Sequence, residues 1–152
     1  MPNHDFIVGL EVNPDFTWNE KGIVLNGIKV TPHASIDDEL ISYISDTLDW
    51  IKGWYPNGAY EKGLDRYGYT IIKEEENIRK FKDIIISWRN LFINGPEVII
   101  LTGNYGWEIE STKGYYEKNV FKKKDIIDQL SNLLTVIEKA INTKNYVIHC
   151  GI

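Results

Sequence analysis

The sequence predicts an α+β fold in which three main helices pack on a largely antiparallel sheet. In three stretches, apolar residues recur at steps of three and four, the period of an amphipathic helix. Short apolar runs bounded by Gly, Asn and Pro lie before, between and after these stretches, as strands joined by hairpins do. Because 152 residues is the length of one ordinary domain, residues 1–152 are predicted to form a single globular domain.

The first part of the chain is predicted to form strands. Residues 5–12 open with an apolar run and end before Asn13 and Pro14, which are a turn signal. Residues 22–30 hold two apolar triplets separated by Asn26 and Gly27, a dipeptide that tolerates the positive φ angles of a type I′ turn. We predict a hairpin here, with one longer strand bulged at Gly27 as the alternative.

The first helix is predicted over residues 36–52. Ser35 is a good N-cap, and three acidic residues follow it in the first turn, where the helix dipole favours anions. Gly53 and Pro56 mark the end of this helix. Its apolar stripe has helical spacing and comprises Leu40, Ile44, Leu48, Ile51 and Tyr55, with Ile41 beside it.

An irregular stretch, residues 56–69, follows the first helix. Glycines and tyrosines alternate along it, and loops of this length are commonly functional. A short strand, Tyr69–Ile72, is predicted to close it.

The second helix is predicted over residues 74–93. Three glutamates open it, and Asn94, Gly95 and Pro96 end it. One face carries apolar residues at alternating steps of three and four: Ile78, Phe81, Ile85, Trp88 and Phe92.

The last part of the chain is predicted to contain three strands and the third helix. The consecutive apolar residues at 98–101 indicate that 98–102 is a buried strand. Residues 103–106 are predicted to turn, 107–110 to return, 111–114 to turn again and 115–121 to form a further strand. The third helix is predicted over residues 125–142, and Tyr146–Cys150 is an apolar terminal strand.

Charge and composition limit the kinds of partner and compartment. The formal net charge is −5, so nucleic acid is disfavoured as a direct ligand and a basic protein partner is favoured. A single cysteine, Cys150, argues against a disulfide framework, and the first residues show no signal peptide. No apolar stretch reaches the length of a membrane span. We therefore expect a cytoplasmic protein that does not bind membranes.

Catalytic and metal-binding patterns are weak in this sequence. His4, His33 and His149 lie far apart along the chain and form no metal-spaced motif. His149 and Cys150 are neighbours on a predicted strand, so their side chains point to opposite faces. A core cysteine and an edge histidine are expected, with a through-space Cys/His pair involving His4 or His33 as the alternative. We expect no cofactor, no metal and no catalytic residue.

Aromatic side chains near the end of the first helix are the best candidates for binding. Trp50 and Trp54 are spaced i, i+4 off the apolar stripe, beside the aromatic loop. The alternative is that this loop folds over them as a small additional core. The predicted partner-binding patch joins these aromatics to the acidic face of the helix and comprises Glu39, Asp46, Asp49, Trp50, Trp54 and Tyr60.

The C-terminal third resembles the immunity proteins of bacterial polymorphic toxin and contact-dependent growth inhibition systems. The resemblance lies in the run 98–103 with Tyr105 and Trp107, the Lys/Asp-led helix that follows, and the terminal residues 146–152. It implies a small, acidic, cytoplasmic, non-enzymatic protein that binds and neutralises a cognate toxin domain, which is often a nuclease. The alternative is a small cytosolic enzyme or ligand-binding protein with its site in the loop 56–69.

Overall fold

The computed structural model describes residues 2–9, 16–19, 22–25, 28–29, 31–109 and 112–152. Their arrangement confirms the predicted α+β fold. The helices are α1 (Asp38–Leu48), α2 (Glu75–Ile93) and α3 (Lys123–Thr143). The strands are β1 (Asn3–Gly9), β2 (Phe16–Asn19), β3 (Gly22–Leu25), β4 (Ile28–Lys29), β5 (His33–Asp37), β6 (Lys52–Trp54), β7 (Tyr60–Lys62), β8 (Tyr69–Ile72), β9 (Val98–Trp107), β10 (Gly114–Lys122) and β11 (Tyr146–Cys150).

Six strands form the main sheet in the order β5-β1-β11-β8-β6-β7, and every neighbouring pair is antiparallel. Strands β1 and β11, which lie near the two ends of the chain, are neighbours inside this sheet, with Phe6 opposite His149. Two smaller sheets accompany it, β2-β3-β4 and the β9-β10 ribbon. The largely antiparallel sheet is thus as predicted, and its strand order comes from the structure.

The two faces of the main sheet pack differently. Alternate residues such as Phe6, Ile72 and Val147 face the helices and join one large core with α1, α2 and α3. Here α3 lies across β1, β5 and β11, and α2 packs against α3. The opposite face carries a second buried cluster that includes Ile148 and Cys150, so the prediction of a core cysteine is confirmed.

The N-cap and the end of the first helix were predicted wrongly. Ser35 is not an N-cap, because residues His33–Asp37 form β5 and Ser35 pairs with Asp5 of β1. Pairing with a neighbouring strand therefore overrides the local capping signal. At the other end the helix stops at Leu48, and Lys52–Trp54 becomes β6.

The other predicted elements are mostly confirmed. Helices α2 and α3 begin and end within two residues of their predicted bounds, and β8 and β11 match theirs. Leu25 pairs with Ile28, so the predicted hairpin is confirmed over its strands, while Asn26 and Gly27 lie outside the described residues. Strand β1 begins two residues before its predicted start, and residues 10–12 also lie outside the described part.

The ribbon of β9 and β10 differs most from its prediction. Residues 103–106 do not turn but continue β9, which runs on to Trp107. The register shifts there by one residue, so that Gly103 and Asn104 lie opposite Glu117 alone, as in a β-bulge. A Cβ at Gly103 would lie 2.9 Å from the Asn119 side chain, so the glycine accommodates the bulge rather than a turn.

Two further findings concern the loop and the helices. The stretch 56–69 is partly ordered as β7, whose Tyr60 pairs with Trp54 of β6. In the described part of the chain, none of the helices has the combination of length and apolar character that crossing a bilayer requires.

Candidate functional site

The β9-β10 ribbon has one face turned to the protein and one turned outward. Ile99, Leu101 and Phe121 point inward and are buried in the main core. Strand pairing places their neighbours on the other side, and the bulge at Gly103 preserves this division up to the ribbon tip. We call that side the outer face; it comprises Val98, Ile100, Thr102, Tyr105, Trp107, Gly114, Tyr116, Lys118, Val120 and Lys122.

Six large apolar or aromatic side chains of the outer face are each more than half exposed, from 52% at Val98 to 66% at Trp107. The prediction that 98–102 is a buried strand is therefore wrong for Val98 and Ile100, because only one side of the ribbon packs on the core. Single exposed apolar side chains are common, whereas contiguous exposed apolar groups are typical of surfaces that bind other molecules.

The aromatic rings at the ribbon tip are already packed against each other. The ring centres of Tyr105 and Trp107 are 5.6 Å apart in an edge arrangement, and those of Tyr105 and Tyr116 are 4.9 Å apart. The Tyr105 ring lies over Gly114, where any Cβ would overlap it. Mutual packing limits the rotamers that these side chains lose on binding, which favours their use as interface anchors.

The polar members of the outer face are few. Lys118 donates a hydrogen bond from its Nζ atom to the Thr102 hydroxyl at 2.9 Å, and Lys122 is exposed. No residue of the outer face carries a carboxylate, although the chain as a whole is acidic. The outer face is therefore mainly apolar, with two basic side chains.

The structure brings together only part of the patch predicted from sequence. Trp54 stacks on Tyr60 with ring centres 4.9 Å apart, and its Nε1 donates to Glu74 at 2.9 Å. Trp54 also packs partly against the second core cluster, whose buried members belong to β1, β8 and β11 rather than to the loop 56–69. Trp50, in contrast, is 64% exposed and lines a groove with Trp88.

The acidic members of the predicted patch are also divided. Glu39 lines a groove beside β10, whereas Asp49 lines a cavity of about 270 Å³ next to His4. Asp46 is exposed on α1. The predicted i, i+4 relation of Trp50 and Trp54 on a helix is wrong, since α1 ends at Leu48. As binding residues, Glu39, Asp46, Asp49, Trp50, Trp54 and Tyr60 stay predictions.

A buried chain of polar side chains was missed by the sequence analysis. His4 Nδ1 and His149 Nε2 lie 2.8 Å apart, and His4 Nε2 lies 2.9 Å from Asp38 Oδ1. Arg66, whose side chain is partly exposed, donates a hydrogen bond to the other Asp38 oxygen, and the two atoms are 2.5 Å apart. The expectation of an edge histidine is wrong for His149, which is wholly buried on a central strand.

The protonation of this chain follows from its contacts. Burial lowers the pKa of His4, and it lowers the pKa of His149 well below the usual value, so both rings are neutral at pH 7. The Asp38 carboxylate can only accept hydrogen bonds, so His4 Nε2 must carry a proton. The unprotonated His4 Nδ1 then accepts a hydrogen bond from the N–H at His149 Nε2. Both His4 nitrogens are thereby used, and this Asp–His pair holds no free base for a nucleophile.

A second cluster lies on the opposite face of the main sheet. His33 Nε2 donates to Asp5 Oδ1 at 2.7 Å, and Asp5 pairs in register with Cys150. Burial first, and the Asp5 charge second, raise the pKa of the Cys150 thiol far above neutrality. A thiol that resists ionisation is a poor nucleophile, so this geometry does not favour the through-space Cys/His alternative.

The buried histidines predict a loss of stability in mild acid. In the unfolded chain their pKa is about 6.5, above the folded values, so below that pH the unfolded state binds protons that the folded state does not. The free energy of unfolding should fall as pH drops from about 6.5 to 5, by at most about 1.4 kcal/mol per pH unit for each histidine. Urea titrations at a series of pH values measure this slope.

His149→Gln tests the origin of that slope. A glutamine amide can donate to His4 Nδ1 as His149 Nε2 does but does not titrate. The free energy of unfolding of this variant should therefore depend less steeply on pH than that of the unmodified protein. Equal slopes in His149→Gln and the unmodified protein would contradict the assignment.

No protein-family model matches this chain, and no curated protein or solved structure is significantly similar to it.

Proposed function

We propose that this protein is a binding protein whose contact surface for another protein is the outer face of the β9-β10 ribbon. The observation that carries the proposal is the row of exposed apolar and aromatic side chains on that face, which includes Ile100, Trp107 and Val120. A ribbon face is broad and open, which suits a protein surface better than a small molecule enclosed in a pocket.

The more specific proposal is an immunity protein that acts in the cytoplasm and neutralises a basic toxin domain. The net charge of −5 supports a basic partner, because opposite charge accelerates encounter. The neutral His4 and His149 support a role without catalysis, since both nitrogens of His4 and the Nε2 atom of His149 are held in hydrogen bonds inside the fold. In this proposal the apolar outer face supplies affinity and the overall charge supplies the rate of association.

Replacing Trp107 with alanine is expected to weaken binding to the partner by about 2 kcal/mol, or roughly 30-fold in Kd, if it acts as a hot spot. The partner is first identified by cross-linking the tagged protein in native cells, followed by mass spectrometry. Its affinity for each purified variant is then measured by surface plasmon resonance. Trp107 is 66% exposed, so its loss should leave the melting temperature almost unchanged.

Trp50→Ala is the matched control, because Trp50 is equally exposed but lies in the groove beside α2. If Trp50→Ala abolished binding and Trp107→Ala did not, the outer face would be the wrong surface and the patch predicted from sequence would be supported. The immunity role is tested separately by co-expressing the partner. The unmodified protein should restore growth to cells that the partner inhibits, and Trp107→Ala should restore it less.

A further inference from the structure

A groove of about 850 Å³ borders the ribbon along β10. Its lining includes five consecutive residues of β10, 118–122, and only Val98 from β9. Consecutive residues of a strand point to opposite faces, so a groove lined by all of them follows the edge of the strand. The opposite wall comes from the β5-α1 junction and the first turns of α3.

The edge of β10 that borders this groove has no strand partner in the described part of the chain. Strand β10 pairs with β9 and with no other described strand. From Lys118 to Lys122 its register is regular, because the bulge ends before Lys118. An edge of this kind, about 16 Å long, presents backbone N–H and C=O groups that an added strand can bond.

The wall that faces this edge is acidic. It carries four carboxylates, those of Asp37, Glu39, Asp125 and Asp128. The strand side of the groove carries two basic residues, Lys118 and Lys122. Asp128 is paired with Lys124 at 2.6 Å, and Asp37 accepts from Gln129 at 3.0 Å. The remaining two carboxylates, Glu39 and Asp125, are the ones left for an incoming cation.

Glu39 differs from the other carboxylates of the acidic wall in its hydrogen bonding. Its Oε2 atom is buried and has no hydrogen-bond partner among the residues that the structure describes. A carboxylate oxygen that is removed from water without a donor costs free energy. A lysine or arginine side chain entering the groove would lie beside Glu39 and would offset its negative charge as well as that of Asp125.

We propose that an extended, basic segment of a partner protein adds to β10 as a third strand of the ribbon. Alternate residues of the segment would be lysine or arginine directed at Glu39 and Asp125, and those between them would be apolar and would widen the outer face. A second copy of this chain fits less well, because each copy would bring a net charge of −5 and the same acidic wall. The proposal rests on the proposed function and specifies its partner segment.

The test uses the whole protein and a synthetic peptide of about nine residues in which lysine and valine alternate. The peptide should change the NMR signals of residues 118–122 and slow the hydrogen exchange of their amides. Peptides with glutamate for lysine, or with N-methyl groups on alternate amides, should bind at least about tenfold more weakly. Equal binding by the N-methylated peptide, or changes confined to other residues, would overturn strand addition.

The acidic wall is tested by the double variant Glu39→Gln/Asp125→Asn. It should lower the affinity for the lysine peptide by about tenfold, whereas Asp46→Asn/Glu76→Gln, which removes two exposed carboxylates outside the groove, should change it less than about twofold. Melting curves establish that each variant is folded. Equal effects of the two variants would show that net charge alone attracts the peptide and would overturn the site.

The two proposals fail separately. If Trp107→Ala weakened the partner complex while Glu39→Gln/Asp125→Asn weakened neither the peptide nor the partner, the outer face would stand and strand addition would be wrong. If the peptide bound at 118–122 but the partner tolerated Trp107→Ala, the proposed function would be wrong in its contact surface. Sedimentation of the protein alone is expected to give a monomer, and a dimer that protects amides 118–122 would replace the partner segment with a second copy.

Discussion

Replacing Asp38 with alanine is expected to lower the free energy of unfolding by about 3 kcal/mol or more. Asp38 is buried and accepts hydrogen bonds from His4 at 2.9 Å and from Arg66 at 2.5 Å. Its removal would leave the buried His4 N–H without an acceptor and would take away an anion at the start of α1. Urea unfolding followed by far-UV circular dichroism measures the loss.

Two further variants separate the causes of that loss. Asp38→Asn keeps a carbonyl oxygen for His4 but removes the charge that holds Arg66, so it should cost less than alanine does. Asp46→Ala removes an exposed carboxylate from the same helix and should change stability by no more than about 0.5 kcal/mol. If Asp38→Ala and Asp46→Ala unfolded at the same urea concentration, the buried chain would not exist in solution.

Proline in place of Ile85 is expected to unfold the protein or to come close to doing so. Ile85 lies in the middle of α2 and its side chain is wholly buried. Proline removes a helical hydrogen bond and clashes with the preceding turn, at about 3 kcal/mol or more, and the lost core side chain adds about 2–5 kcal/mol. Together these losses approach the total stability of an ordinary domain, about 5–15 kcal/mol. Circular dichroism and thermal melting measure the outcome.

Ile85→Ala is the control that removes the side chain and keeps the helix. It should remain folded with a lowered melting temperature, because only the packing contribution is lost. A proline variant as stable as the alanine variant would mean that α2 is interrupted near Ile85 and that the helix assignment is wrong.

The elements that could be predicted from sequence are those whose signal is local. In α2, Phe81, Ile85 and Phe92 recur at helical spacing, and the same residues are buried in the core. The hairpin of β3 and β4 was also predictable, because the turn residues and the apolar triplets lie within nine positions. The helical spacing of apolar residues and the turn dipeptide of a hairpin each depend only on residues that lie close together in the sequence.

Three errors came from signals that distant residues override. Ser35 has the chemistry of an N-cap but pairs with Asp5 of β1, about thirty positions earlier. Gly103 resembles a turn residue but sits in a bulge against Glu117. The apolar run at 98–101 suggested burial on both faces, yet only Ile99 and Leu101 face the core. In each case the decisive neighbour belongs to another element.

The candidate site was the least predictable part of the molecule. Tyr105 was predicted to lie in a turn and Trp107 at the start of a returning segment, while Trp50 and Trp54 were predicted near the end of a helix that stops before either of them. The alternation along β10, with Tyr116, Lys118 and Val120 on one side, is present in the sequence, but the alternation along its partner strand β9 is interrupted by the bulge. Recognising the outer face therefore required the pairing of β9 with β10.

The sequence by itself determined the α+β class, the approximate bounds of two helices, the buried cysteine and the acidic charge of this protein, because periodicity, composition and charge are properties of the chain alone. Only the tertiary structure decided that His4 and His149, 145 positions apart, share a hydrogen bond, because that contact depends on β1 lying beside β11. The tertiary structure alone also decided which apolar residues are left in solvent. Burial depends on what packs against a strand, and for Ile100 and Trp107 nothing in the adjoining sequence indicates that one face of the ribbon is uncovered.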